Sequence, residues 1–470
     1  MTPLALAALG LAIVTQNQAA LRASPKESAA QQAVLWQGEV LEVRGERGDY
    51  LSVYDHRLER GGFIRATQVR STPLLPEDAP QLLAVLRFLR DTPGAESLGI
   101  SYAAAYLKVA PAAQITAEPF DALGSMADRL AQRASVHQSK ANSTLIAAHL
   151  EVAAQFGIRF YSYEHDGKVQ ICYDGEMYRR VLAMNSADPS QRARAALGLT
   201  RHECVDPDLG PTARYHLDQW RAEILQGVHT ENLSSVLQNR MHMRLAGVSA
   251  ALAYWQTKRG ENALVAANQS LDQLGAVKKS ELEELDQNDY AEAAVRVGAS
   301  RLAAEPAIQR GGRLAIKLAP GEPGQTCVAL LDTKRGGELL AQRCTFGTVW
   351  LTSARANNDD TALALAVQPL ATWREMWVFR RAGKDWQIDV LPPGSDGPEL
   401  GYIEFAGWQP DSKHLLVVRE LRSAGRFRRR FESVALDSLR TERQAGTPDL
   451  IPGFGRWQDT AWRTSTVSLR

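Results

Sequence analysis

The chain has 470 residues, more than one hydrophobic core usually supports, so its length predicts roughly two to four domains. Hydrophobic residues make up 45% and charged residues 23% of the sequence, which is ordinary for a folded protein and excludes disorder over most of the length. The formal net charge is +1, so no overall field draws the protein to nucleic acid or to an anionic membrane. A partner recognised through charge must therefore meet a local patch.

Residues 1–12 form an apolar run that is rich in small side chains and too short to cross a bilayer. Such a run is typical of a signal-peptide core, and we expect residues 1–12 to be a signal-peptide remnant that is cleaved after Ala12. No lysine or arginine precedes the run, so either the true start of the protein lies upstream of Met1 or these residues form an apolar first strand or helix. The expected location is periplasmic or otherwise exported, with a cytoplasmic location as the alternative.

The four cysteines stand in two pairs along the chain. Cys172 and Cys204 bracket one helical stretch, and Cys327 and Cys344 bracket an apparent β-hairpin. Each pair would close a short loop in an oxidising compartment, so we predict two local disulfides. Four buried free thiols are the alternative. No CxxC motif occurs, and the sequence therefore gives no support for a zinc ribbon or a thioredoxin-type redox site.

Residues 13–70 read as short strands separated by turns. Alternation along Val40, Glu42 and Tyr50 to Val53 gives the two-residue period of half-buried strands. Residues 45–49 supply a tight hairpin turn, and two glycines at 61–62 precede the last strand. The pattern predicts a small antiparallel β-barrel.

Four sequence blocks lie in order within this segment. They are Ala-Leu-Arg-Ala-Ser-Pro at 20–25, Trp-Gln-Gly-Glu-Val at 36–40, Gly-Asp-Tyr-Leu-Ser-Val at 48–53 and Gly-Phe-Ile-Arg at 62–65. By these blocks the segment, about an eighth of the chain, resembles the bacterial SH3-like (SH3b) domain. Tyr50 and Phe63 stand where that family often has tryptophan. The resemblance implies an SH3-like barrel that attaches to cell-wall peptides or targets a neighbouring domain.

By this resemblance four aromatic residues are candidates for a recognition groove: Trp36, Tyr50, Tyr54 and Phe63. Flat aromatic faces supply contact area at a small entropic cost. The alternative is that at least half of these residues fill the barrel core. Strand alternation places Leu51 and Val53 on one face of their strand and the two tyrosines on the other, so the tyrosines are the better candidates for the surface.

The pattern changes at the proline-bearing linker of residues 71–76, after which apolar residues recur with a period near 3.6. Asp188-Pro189 and Pro211 are helix start signals. We predict a helical domain over 77–306, with a small β-hairpin near 159–173. Helices at 246–258 and 263–274 resemble tetratricopeptide pairs in their small and aromatic residues. We find no copies at a fixed period, so we expect a bundle with repeat-like packing.

From residue 313 to the end the sequence predicts strands again, in five hairpin-like pairs. The pair at 403–408 and 414–419 resembles the strand-turn-strand unit of TolB-type β-propeller repeats, and a similar turn at 357–360 stands about fifty residues earlier. Closed propellers need at least four blades, and the chain has room for two or three. An incomplete propeller, a curled open sheet and closure by a partner chain are all left open.

The sequence contains no phosphate-binding glycine loop, no HExxH and no GxSxG motif. Cys172 lacks the Asp-Cys-Ser-Gly block of the cysteine peptidases that cut wall peptides. His202 beside Cys204 is interpreted as a surface histidine, and His242 with its two methionine neighbours as a packing feature. We therefore expect no catalytic residue, no metal site and no cofactor.

One local basic run remains near the end of the chain, at Arg422, Arg426, Arg428, Arg429 and Arg430. Such a run either protects an edge strand from aggregation or meets a phosphate or carboxylate polymer, and the first interpretation is preferred.

These observations predict a multidomain α+β protein with an N-terminal SH3-like β-barrel, a central α-helical bundle and a C-terminal antiparallel β domain over 313–470 that resembles a partial β-propeller. The predicted function is that of a non-catalytic, exported scaffold or binding protein of the bacterial cell envelope. Its partner would be a cell-wall peptide or an envelope protein, without nucleic acid and without a transmembrane segment. The alternative is a cell-wall-associated hydrolase of unrecognised type, with a site between the helical and β domains.

Overall fold

The computed structural model of the chain describes residues 10–136, 139–165, 168–305, 312–394 and 400–467. It has an N-terminal antiparallel sheet, central helices and C-terminal sheets, which confirms the predicted mixed α+β class. The chain divides into two compact units, Met1–Leu209 with Val228–Asn232 and Gly210–Gly227 with Leu233–Arg470. The second unit contains helices as well as sheets. The predicted domain boundaries at 13–70, 77–306 and 313–470 stay predictions.

Seven strands form the N-terminal sheet: β1 (Leu11–Val14), β2 (Ala19–Arg22), β3 (Gln31–Leu35), β4 (Val40–Arg47), β5 (Tyr50–Asp55), β6 (Arg60–Arg65) and β7 (Val69–Thr72). Their order is β3-β2-β6-β5-β4-β1-β7, and neighbouring strands are antiparallel. Leu51 and Val53 of β5 join Leu21, Leu41 and Ile64 in a buried core. The alternation of the sequence therefore predicted the inner face of β5 correctly. Closure of the sheet into a barrel stays a prediction.

Strand β1 begins at the residues where cleavage is expected. Ala12 is fully buried and lies opposite Leu41 of β4 and Ser71 of β7. A cut after Ala12 would divide this strand. Residues 1–9 of the expected signal-peptide remnant lie outside the described residues.

The remaining elements of the first unit are α1 (Ala79–Arg90), α2 (Glu96–Val109), α3 (Glu118–Ser135), α4 (Lys140–Gln155), β8 (Phe160–His165), β9 (Lys168–Tyr173), α5 (Glu176–Ala183) and α6 (Pro189–Leu199). Strands β8 and β9 form the predicted hairpin, whose turn at 166–167 lies outside the described residues. Helix α6 begins at Pro189 as predicted, because Asp188 and Gln191 cap it reciprocally. Helices α5 and α6 approach closely through glycine, since a Cβ at Gly198 of α6 would lie 2.2 Å from the ring of Tyr178 of α5.

The helices of the second unit are α7 (Pro211–Gln226), α8 (Ser235–Lys258), α9 (Leu264–Gly275) and α10 (Glu284–Ser300). Helix α7 starts at the predicted Pro211. Helix α8 starts well before residue 246, where the sequence placed the first repeat-like helix, because the Ser234 hydroxyl accepts a hydrogen bond from the backbone N–H of Leu237 and caps the longer helix.

The C-terminal strands are β10 (Leu314–Pro320), β11 (Thr326–Asp332), β12 (Glu338–Thr345), β13 (Thr348–Ala356), β14 (Ala362–Leu370), β15 (Trp373–Ala382), β16 (Asp385–Leu391), β17 (Gly401–Trp408), β18 (His414–Ser423), β19 (Arg426–Ala435) and β20 (Thr441–Ala445). The first three form one sheet and the other eight form a second sheet. All five predicted hairpin pairs are present. Closure into a propeller stays a prediction.

The end of the chain corrects the expectation of strands throughout. Two helices follow β20, α11 (Phe454–Trp457) and α12 (Thr460–Val467). A carboxylate oxygen of Asp459 accepts hydrogen bonds from the backbone N–H groups of Ala461 and Trp462 and so caps α12. Trp462 is 7% exposed and packs against Phe454, which ties the helix to the second unit. Residues 468–470 lie outside the described residues.

Candidate functional site

Three of the four predicted aromatic residues share one face of the N-terminal sheet. Tyr50 and Tyr54 stand on the face of β5 opposite to Leu51 and Val53, and Phe63 of β6 lies directly opposite Ser52 on that same outer face. Trp36 is half-buried and follows the end of β3, so it lies off this strand face. The outer face of β5 and β6 is therefore the candidate binding surface.

Tyr54 is the centre of a polar and aromatic cluster on this surface. The guanidinium carbon of Arg44 lies 3.9 Å from the Tyr54 ring centroid, and the His56 ring meets it edge-on at 4.9 Å. Glu42, the cross-strand neighbour of Tyr54, contacts both of these side chains, at 3.3 Å from Arg44 Nε and 2.6 Å from His56 Nε2. Hydrogen bonds from Arg44 and then His56 lower the pKa of Glu42. The cluster presents one half-exposed ring surrounded by charges of both signs.

Tyr50 corrects the expectation of an exposed ring, because it is 7% exposed. Arg65 lies directly opposite Tyr50 and donates from Nε to its hydroxyl at 3.3 Å. Glu27 holds the same guanidinium at 2.7 Å. Tyr50 is therefore covered by a neighbour on its own face, and Tyr54 and Phe63 remain as the more accessible rings.

A buried carboxylate that the sequence reasoning missed lies beside Trp36. The backbone N–H of Glu39 donates to the Trp36 carbonyl, and the Glu39 side chain contacts Arg57 Nη2 at 2.7 Å. Glu39 is 3% exposed, and burial raises its pKa to about 7, although Arg57 opposes the rise. The signal in the sequence is an acidic residue immediately before an otherwise apolar strand start. The preceding residue, Gly38, lies close to α2, where a Cβ would lie 2.6 Å from the Ser97 carbonyl oxygen.

An open cleft of about 430 Å³ lies among the helices of the first unit. Its walls are apolar and its rim is charged: Ala104, Leu107, Phe120, Leu123, Phe156, Gly157, Met177, Arg159, Glu176 and Arg180. Arg180 contacts Glu176 at 3.1 Å, and Arg159 contacts Asp174 at 2.9 Å. The volume falls in the range of small-molecule sites.

A much smaller cavity of about 40 Å³ lies in the second unit, beside a buried ion network. Glu404 accepts hydrogen bonds from Arg301 Nε at 2.6 Å, Arg374 Nη2 at 2.9 Å and Trp462 Nε1 at 2.9 Å. Ser353, the one hydroxyl residue among those that line the cavity, donates to a carbonyl and accepts from a backbone N–H. The cavity has room for a few water molecules, and its polar groups tie strands β15 and β17 to α12.

Both predicted disulfides are present, Cys172–Cys204 and Cys327–Cys344. Cys172 is thus held in a disulfide, so it offers no free thiolate. Disulfides of this kind fit an oxidising, exported location. Among the described residues, no helix is long and apolar enough to cross a membrane.

No metal-binding centre is found in the described parts of the chain, because no three His, Cys, Asp or Glu side chains there are grouped so that they could hold a metal ion. His242 faces Gln273 at 2.7 Å, while Met241 and Met243 are buried. No protein-family model matches the sequence, and neither a curated protein nor a solved structure shows significant similarity to it.

Proposed function

We propose that the protein is a non-catalytic, exported binding protein of the bacterial cell envelope whose N-terminal sheet holds a cell-wall peptide or a protein partner. The observation that carries this proposal is the Tyr54 cluster on the outer face of β5, with Arg44 at 3.9 Å and His56 at 4.9 Å from the ring. A ring bordered by a guanidinium, an imidazole and a carboxylate can stack on a peptide while these neighbours pair with polar and charged groups of that peptide.

Two further observations support the same proposal. The two disulfides agree with an oxidising compartment, where cell-wall peptides are found. The surface is built on paired strands, whose register holds Tyr54 opposite Glu42 and Phe63 opposite Ser52. A rigid platform loses little entropy when it binds a peptide.

The test is a pull-down of the full-length protein with purified peptidoglycan, comparing wild type with Tyr54→Ala. We expect the substitution to reduce retention about tenfold or more, because removal of a buried aromatic contact at an interface costs on the order of 2 kcal/mol. Tyr161→Ala is the matched control, since Tyr161 is an exposed tyrosine on the β8 hairpin of the same unit. Equal retention of the Tyr54 variant and wild type would remove this surface from the proposal. Loss in both variants would point to a general effect of losing a tyrosine.

A further inference from the structure

The arginines on the two faces of strand β19 differ in whether they have acidic partners. Side chains alternate along a strand, so Arg426, Arg428 and Arg430, here called the arginine stripe, share one face, and Phe427 and Arg429 share the other. The cross-strand partners on β18 follow the same division, with Arg422 opposite Phe427 and Glu420 opposite Arg429.

On the face with Phe427 every arginine has an acidic partner. Phe427 packs against Val295 and Ala299 of α10, so this face is directed to the helix. Arg429 forms an ion pair with Glu420, and Arg422 lies 3.7 Å from Glu292 of α10. The charges are neutralised where the strand meets the rest of the unit.

On the opposite face the arginine stripe is exposed and has no acidic partner within 4.0 Å among the described residues. The residues directly across on β18 are Ser423, Leu421 and Arg419. Arg419 adds a further cation, and the nearby carboxylate, Glu432, is already held by Arg419 at 2.9 Å and by the Thr441 hydroxyl at 3.1 Å. Three positive charges therefore stand on one face without compensation.

The geometry of the stripe is that of a short linear array. Alternate residues of a strand are about 6.8 Å apart, so the three guanidinium groups are attached along about 14 Å of backbone. Strand β20 pairs with residues 431–434 of β19, so the stripe lies on the part of the strand beyond that pairing. Charged side chains protect a free strand edge from pairing, but arginines aligned on one face also repel one another, and an anion lying across them would relieve that repulsion.

We propose that the arginine stripe binds a linear polymer that carries phosphate groups. The planar guanidinium group matches the oxygens of a phosphate in a two-point contact, and successive arginines on one face can engage successive phosphates. A short row of arginines without acidic partners favours the binding of a chain of anions over the binding of a single anion. The stripe lies in the second unit, so the inference is independent of the peptide surface on the N-terminal sheet.

The test measures binding of fluorescently labelled inorganic polyphosphate to the full-length protein by anisotropy. The variant is Arg426→Gln, Arg428→Gln and Arg430→Gln together. Its matched control is Lys317→Gln, Lys334→Gln and Lys384→Gln, which removes the same charge from three exposed lysines in the same unit. We expect the arginine variant to bind at least about tenfold more weakly and the lysine control to bind within about twofold of wild type. If three phosphates are neutralised, wild-type affinity should also fall roughly 20- to 40-fold between 50 and 200 mM salt, with a shallower dependence in the arginine variant.

Three outcomes would overturn the proposal: no polyphosphate binding by wild type, equal weakening by both variants, or binding to phosphatidylglycerol vesicles without binding to the polymer. Far-UV circular dichroism checks that each variant is folded. The lysine-substituted stripe, Arg426→Lys, Arg428→Lys and Arg430→Lys, is a second test, because it keeps the charge and removes the two-point contact. It should bind with an affinity between those of wild type and the glutamine variant.

Discussion

Glu39, which immediately precedes β4 of the N-terminal sheet, and Glu96 of α2 are both buried carboxylates, and their pKa values are shifted in opposite directions. Glu39 has one arginine contact, and burial raises its pKa to about 7. Glu96 of α2 is fully buried, and burial alone would raise its pKa as well. Hydrogen bonds from Arg129 at 2.7 Å and from the Gly94 backbone N–H at 3.0 Å, together with the charge of Arg133, outweigh burial and lower it. The donors around Glu96, and not a shallower burial, explain why its pKa is lowered while that of Glu39 is raised.

The largest expected effect in this comparison is that of removing Glu96. Glu96→Ala should lower the free energy of unfolding by about 3 kcal/mol at pH 7, because Arg129 and Arg133 lose their shared carboxylate. Urea denaturation measures the change, and Glu39→Ala is the matched control in the same unit. A cost for Glu96→Ala equal to or below that for Glu39→Ala would contradict the comparison.

The next effect is the pH dependence that Glu39 imposes. Its folded-state pKa is raised from 4.5 to about 7, so its contribution to stability is present below pH 4.5 and is lost as the pH rises through about 7. Glu39→Gln removes this loss. Between pH 5 and pH 8 the stability of the variant should therefore improve relative to wild type by about 2.5 kcal/mol.

Glu96→Gln sharpens the contrast, because the lowered pKa of Glu96 gives the opposite sign. The stability that the Glu96 carboxylate contributes is present above pH 4.5 and is lost as the pH falls through its lowered folded-state pKa.

The Glu39 prediction has its own contrary outcome. A Glu39→Gln variant whose stability relative to wild type does not change between pH 5 and pH 8 would mean that Glu39 is already charged in the folded protein.

The smallest expected effect belongs to His149 of α4. It is fully buried, faces the Asn17 side chain at 2.9 Å, and has its pKa lowered from 6.5 to about 4 by burial and by Arg133. The stability of the neutral ring is present above pH 6.5 and is lost as the pH falls towards 4. His149→Gln should therefore improve relative to wild type by about 2 kcal/mol from pH 7 to pH 5, as urea titrations would show. An unchanged difference between the two pH values would contradict a buried neutral histidine.

Local patterns predicted much of the fold, and the exceptions share a cause. The alternation along β5 placed Leu51 and Val53 inside, and the spacing of the cysteines gave both disulfides. Tyr50 was expected at the surface and is buried, because the side chain of Arg65 on the neighbouring strand contacts it. Helix α12 was expected as strand, and Trp462 packs into a site made by Phe454 and Glu404. In both cases the deciding contact comes from another element.

The candidate surface was predicted in part. The sequence named Tyr54 and Phe63, but it gave no sign that Arg44, His56 and Glu42 would surround one ring, since their positions depend on the register of β4 against β5. Glu39 and the ion network around Glu404 were not predicted. The position of Glu39 before an apolar strand start was the one sequence signal, and the partners of both carboxylates come from residues distant along the chain.

The sequence by itself determined the order of β, α and β regions, the hairpins and the cysteine pairs, because these depend on contacts between residues that are near along the chain. Only the tertiary structure decided which charges are paired. The arginine stripe and Arg429 are adjacent in sequence and similar in composition, yet alternation on a strand turns Arg429 towards Glu420 and the stripe away from the unit. The pairing of charges depends on the distances between side chains on neighbouring strands, and the amino-acid composition does not specify those distances.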